Sequence, residues 1–167
     1  MNHPLLMKLP FVSYVTTNFD TLLRDASFGE EDIKGVYYYP DLPSHRISER
    51  SIFYIHGIVE KDGECRADKL VLGKESFQKA YSEDSLLPSF LKNLFAYFHV
   101  VFLGFSLRDP SIQDILQITN KIQKEIISEI GLRSDIPERY ILLEKRHSDN
   151  QKLKELGVHT IEYELWS

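Results

Sequence analysis

Apolar runs that lack an inside–outside alternation are the strongest limit on what this chain can fold into. The segments "SIFYIHG" (51–57), "HVVFLGFS" (99–106) and "RYILLEK" (139–145) each string four apolar residues together. A strand with one wet face alternates, whereas a strand covered on both faces does not. Helical patterns stand between these runs. "LLPSFLKNLFAYF" (86–98) carries Leu87, Phe90, Leu91, Leu94, Phe95 and Phe98 on one face. "DPSIQDILQITNKIQKEI" (109–126) opens with Asp109 and Pro110, a cap and first-turn signal, and "DNQKLKELG" (149–157) closes on a glycine. Shorter strands are expected at "FVSYVTT" (11–17), "GVYYYP" (35–40) and "HTIEYEL" (159–165), with helices in "DTLLRDAS" (20–27) and "LVLGKESFQKAYSEDS" (70–85). Asp20 or Thr21 is the expected N-cap of the first of these. Strands alternating with helices predict an α/β, Rossmann-like parallel sheet with helices on both faces. At 167 residues the chain is expected to form one domain over 1–167.

Composition excludes several function classes. A net charge of −5, with no basic run longer than two residues, leaves no footprint for gripping nucleic acid. The single cysteine, Cys65, excludes an internal disulfide and a Cys-x-x-Cys metal module, and it fits a reducing cytoplasm. No apolar run reaches membrane-spanning length, and "MNHPLLMKLP" is too short and too weakly basic for a signal peptide. A soluble cytoplasmic protein without a metal site is expected.

In parallel sheets ligands bind beyond the carboxyl ends of the strands. Polar groups stand at those positions: Asn18 and Asp20, His56 and Gly57, the stretch from Gly104 to Asp109, and the stretch from Glu144 to His147. From the residues alone each has a second reading. Asn18 and Asp20 make a turn and a helix cap, His56 is a loop histidine satisfied by a neighbour, and Ser106 is another cap. Tyr37, Tyr38, Tyr39, Phe53, Tyr54 and Phe77 read as core, and the charge-rich helix "NKIQKEIISE" as a solvated face.

Taken together, "TTNFD" (16–20), "IHG" (55–57) and "GFSLRDP" (104–110) resemble the sirtuin-like NAD-consuming domain, most of all the bacterial branch found in antiphage defence proteins. The resemblance runs from about Phe11 to the last strand. It implies an NAD glycohydrolase that cleaves NAD to nicotinamide and ADP-ribose. By motif, Asn18 would hold a ribose hydroxyl or the attacking water, Asp20 the carboxamide, and His56 would act as base. Thr17, Gly57, Gly104, Phe105, Ser106 and Asp109 would line the dinucleotide, and Glu144 would meet the adenine ribose. The residue types suit the chemistry: cleavage develops oxocarbenium character, which polar acceptors and a neutral imidazole favour.

The sequence departs from that family in two places. None of the eight glycines is spaced as Gly-x-Gly, so the phosphate-cradling turn is missing along with the strand that should precede it. A domain lacking its first strand and Gly-rich loop is therefore expected. Its Asn-x-Asp strand would either pair with the "VVFLG" strand or accept a strand from another chain. The four-cysteine zinc module of the family's deacylases is also missing, which favours plain NAD hydrolysis. Homo-oligomerisation and fused sensor domains are the expected partnerships. The alternatives are an inactive nucleotide-binding or protein-interaction module, and a structural fragment that folds only on assembly.

Overall fold

A computed structural model describes residues 3–63, 69–130, 136–144 and 150–164. Cys65 and His147 lie outside the described residues. The chain divides into two compact units, Met1–Phe90 and Leu91–Ser167.

The first unit contains α1 (His3–Met7), β1 (Tyr14–Thr16), α2 (Leu22–Ala26), β2 (Gly35–Tyr38), a 3-10 turn (Ser44–Arg46), β3 (Ser51–Tyr54), α3 (Lys74–Ala80) and the start of α4 (Leu86–Tyr97). Its three strands are parallel in the order β1-β3-β2, with Val15 opposite Phe53 and Phe53 opposite Tyr37. All four residues of the central β3 are buried, which accounts for its unbroken apolar sequence. Ile52 and Tyr54 face a cluster with Met7, Tyr14 and Leu23, which brings α1 and α2 to one side of the sheet. Phe53 points the other way and meets Tyr37 and Phe90, the latter from α4. Helices thus cover both faces, as the apolar runs predict.

The segment after α1 is tied down by one side chain. Arg50 donates to the carbonyls of Met7 (2.7 Å) and Phe11 (2.8 Å), and it lies over the Tyr14 ring. A guanidinium is suited to this because it presents several donors in a fixed fork.

The second unit holds the rest of α4, then β4 (Val100–Phe102), α5 (Pro110–Ile130), β5 (Arg139–Glu144), α6 (Asn150–Glu155) and β6 (Val158–Tyr163). The order is β4-β5-β6, again parallel, with Val100, Arg139 and Val158 in register. Asp109 caps α5 as its position predicts: its carboxylate accepts from the amides of Ser111 (2.9 Å) and Ile112 (3.3 Å). The "VVFLG" run reads as a fully covered strand, yet Val101 is 36% exposed. The reason is topological, because among the described residues β4 is an edge of its sheet and has a single hydrogen-bonded neighbour. β1 is likewise an edge, paired through β3.

Arg139 is almost wholly buried at the start of β5. It donates to the carbonyl of Phe95 (2.8 Å) and to Gln123 Oε1 (2.7 Å), and it stacks over the Phe95 ring. Among the described residues no carboxylate pairs with it, and burial pushes its pKa below the ordinary arginine value. Gln123, read from sequence as part of a solvated face, is therefore a buried acceptor for this cation. Gln123→Ala is expected to lower the unfolding free energy by about 1.5–3 kcal/mol, the worth of a hydrogen bond to a charged group. Arg139→Met, which removes the charge together with the bond, should cost less. Urea denaturation of the whole chain measures both, and equal losses would show that Gln123 does not compensate the charge.

Candidate active site

The two strand ends that carry Asn18 and His56 are laced together by main-chain bonds. At the end of β1 the Thr16 carbonyl accepts from Ile55 N–H (3.0 Å), and beyond it the Phe19 carbonyl accepts from Val59 N–H (2.8 Å). The tip of the Asn-x-Asp loop is therefore held against the loop that follows β3. Within the tip, Asn18 N–H donates to Thr16 Oγ1 (3.0 Å), leaving the Asn18 residue exposed. Asp20 Oδ1 accepts from Leu22 N–H (3.0 Å), so Asp20 supplies the capping carboxylate of α2. Thr21 occupies the cap position, but its hydroxyl donates to Asp25 Oδ2 (2.7 Å).

A second fastening comes from the core. Arg24 N–H, an unpaired donor of the first turn of α2, donates to the phenol oxygen of Tyr54 (2.9 Å). Tyr54 is wholly buried, and burial, ahead of every other influence, pushes its phenol up to about 12. The Arg24 guanidinium forks onto both oxygens of Glu60 (2.6 Å each), and Lys61 pairs with Asp25 (2.9 Å). The Arg24 hydrogen bonds hold the Glu60 carboxyl below its usual range, and Lys61 followed by Thr21 does the same for Asp25. Beside this cluster lies a cavity of about 490 Å³ lined by Phe19, Asp20, Thr21, Leu22, Val59, Glu60 and Lys61.

His56 sits next to the tip and is 8% exposed. Its carbonyl accepts from Val71 N–H (2.9 Å), and its Nε2 is 2.9 Å from the phenol oxygen of Tyr81. Phe19 lies 6.4 Å from the imidazole between ring centroids, while Phe77 and Tyr81 approach it edge-on at 6.0 and 5.9 Å. Gly57 makes the sharp exit from this position. Its φ is +88°, and a Cβ there would stand 2.4 Å from the Lys69 carbonyl oxygen. The residues Phe77 and Tyr81 were not among the expected site groups. Their signal in the sequence is an aromatic pair four residues apart, which also describes ordinary core.

In the second unit, the turn after β4 takes two left-handed residues, Gly104 (φ +64°) and Leu107 (φ +49°). Leu107 is buried, Ser106 is exposed, and Phe105 stacks on Phe102. Asp109 is engaged as the cap already described. Glu144 ends β5 and is half-buried, as is Thr17 beyond β1. Among the described residues, no group of three histidines, cysteines or acids is placed to hold a metal ion.

Chemically, the first unit offers an imidazole for proton transfer, an exposed amide and an exposed carboxylate, all attached to one pair of loops. Comparison with known proteins identifies the family. The model of the SIR2-like domain matches residues 12–161, across both units. The chain belongs to the SIR2-like family. Among curated relatives of this SIR2-like chain are NAD(+) hydrolase ThsA of Bacillus cereus (strain MSX-D12), 31% identical over 122 residues, and its namesake in Acinetobacter baumannii (strain 532279), 31% identical over 125. Each alignment covers 69% of this chain and 24% or 23% of the relative. Defense-associated sirtuin 2 of Bacillus subtilis is 23% identical over 123 residues, covering 74% of this chain and 12% of its own. The SIR2-like chain thus spans about a quarter or less of the length of these relatives.

Two outcomes follow from the loop geometry. Gly57→Ala forces a side chain into left-handed backbone and onto Lys69, and is expected to cost about 1–3 kcal/mol in urea denaturation; a neutral result would mean the loop relaxes freely. Because Glu60 and Asp25 have depressed pKa values in the folded chain, their contribution is present above the ordinary carboxylate range and is lost as pH falls through the folded values. Glu60→Gln should therefore flatten the acid side of the stability–pH curve, and an unchanged curve would remove the Arg24 fork as its source.

Proposed function

We propose that this chain carries the NAD-cleaving part of an NAD glycohydrolase, releasing nicotinamide and ADP-ribose as the effector of a longer bacterial defence protein. The observation that carries the reading is the buried His56 beside the Asn18–Asp20 tip, fixed there by the Phe19–Val59 and Thr16–Ile55 bonds. The names of the relatives, NAD(+) hydrolase and defence-associated sirtuin, support the same substrate and setting.

The proposed reaction breaks the bond between the ribose C1′ and the nicotinamide nitrogen. The electron pair leaves with nicotinamide, which becomes neutral, and the ribose gains oxocarbenium character. A water oxygen then bonds to C1′, and His56 takes its proton. Asn18 orients the water or a ribose hydroxyl, and Asp20 accepts from the carboxamide. Thr17 and Gly57 flank these groups. The motif resemblance extends dinucleotide roles to Gly104, Phe105, Ser106 and Asp109, the last of which is the cap of α5, and the adenine ribose to Glu144. No helix among the described residues is long and apolar enough to cross a membrane, and cytoplasmic residence belongs to the same proposal.

That Asp20 already caps α2 and His56 already meets the Tyr81 phenol favours a second reading, a module that binds NAD or ADP-ribose without turnover. Chromatographic assay of nicotinamide release separates the two. Under the first reading the chain consumes NAD, and His56→Ala or Asn18→Ala lowers kcat by about 10²-fold or more while the circular dichroism spectrum is kept. Calorimetric binding of NAD without any turnover would establish the second.

A further inference from the structure

We infer that Tyr81 is the positioning residue of His56: its phenol oxygen accepts from Nε2–H, which fixes the rotation of the imidazole and makes Nδ1 the basic nitrogen. The inference deepens the hydrolase reading and rests on it for its consequence in catalysis. An imidazole turned by half a revolution about its χ2 bond exchanges nitrogen for carbon at each ring edge. Only one of the two orientations places a nitrogen against a hydroxyl, so a phenol beside the ring selects between them. Tyr81 Oη lies 2.9 Å from His56 Nε2, within ordinary hydrogen-bond range.

The phenol itself is held. Tyr81 follows the last turn of α3 as its C-cap, and its amide donates to the Phe77 carbonyl (3.0 Å). Its ring stacks on Phe77 with centroids 4.4 Å apart and planes at 20°. Phe77 and Tyr81 both stand edge-on to His56, so the hydroxyl cannot swing away without undoing the stack. A base that must meet water or a ribose hydroxyl gains from such a fixed orientation, because misaligned donors and acceptors lose rate steeply.

Tyr81→Phe tests this, since it keeps the stacked ring and removes only the hydroxyl. The first readout is the pair of ¹⁵N shifts of the His56 ring nitrogens in the whole chain, assigned by their loss in His56→Gln. With Tyr81 present one tautomer should dominate; in Tyr81→Phe the two shifts should move toward each other. If the variant loses the fold, Phe77→Leu loosens the stack and should move the shifts in the same direction. Unchanged shifts in a folded variant overturn the inference. The second readout is NAD turnover, where kcat should fall about tenfold, the worth of one hydrogen bond, with KM unchanged. Turnover that depends on His56 yet is indifferent to Tyr81→Phe would also overturn it. If instead no version of the chain cleaves NAD while the shifts respond, the hydrolase reading fails and the positioning of His56 stands.

Discussion

The Tyr54 phenol, buried at the end of β3, accepts the Arg24 amide from the first turn of α2, and the arrangement of the candidate site depends on it. That amide has no partner inside its own helix, and a buried donor left unpaired is costly. The helix therefore starts where the phenol can reach it. Asp20 and Asn18, four and six residues earlier, are placed as a result. The same strand continues into His56, so one central strand sets the position of the acid, the amide and the imidazole. Arg24 adds to this from its other end, where the fork onto Glu60 ties α2 to the loop that follows β3.

Much of the fold was legible because its signals are local or periodic. Four consecutive buried residues in β3 read directly as a strand covered on both faces. Asp109 followed by Pro110 marked the start of α5, and the cap bonds are there. The grouping of strands into two sheets was less legible, because pairing is set by long-range packing that no run of residues encodes. β4 shows the limit: its composition is that of a buried strand, while its place at an edge leaves Val101 partly open.

At the site, sequence pointed to the loop residues and missed what holds them. Asn18, Asp20 and His56 stand out because polar groups at strand ends need a reason. Phe77 and Tyr81 do not, since an aromatic pair at helical spacing is what any core helix shows. Gln123 was hidden for the opposite reason: amides among lysines and glutamates read as surface, and only the buried Arg139 cation gives this one a partner. Supporting residues are chosen by the group they touch, and that group is distant in sequence.

The ladders of the first unit differ in how far they reach along the chain. β2 meets β3 across 16 residues, from Val36 to Ile52, whereas β1 meets it across 38, from Tyr14 to Ile52. Closing the longer loop costs about 0.8 kcal/mol more by chain-entropy scaling. The shorter parallel β2–β3 crossover is thus the cheaper to close, and the strand that delivers Asn18 to His56 docks at the greater entropic expense. A ligand that clamps the two loops binds only the docked arrangement of β1 on β3, so by mass action it would stabilise the first unit against unfolding.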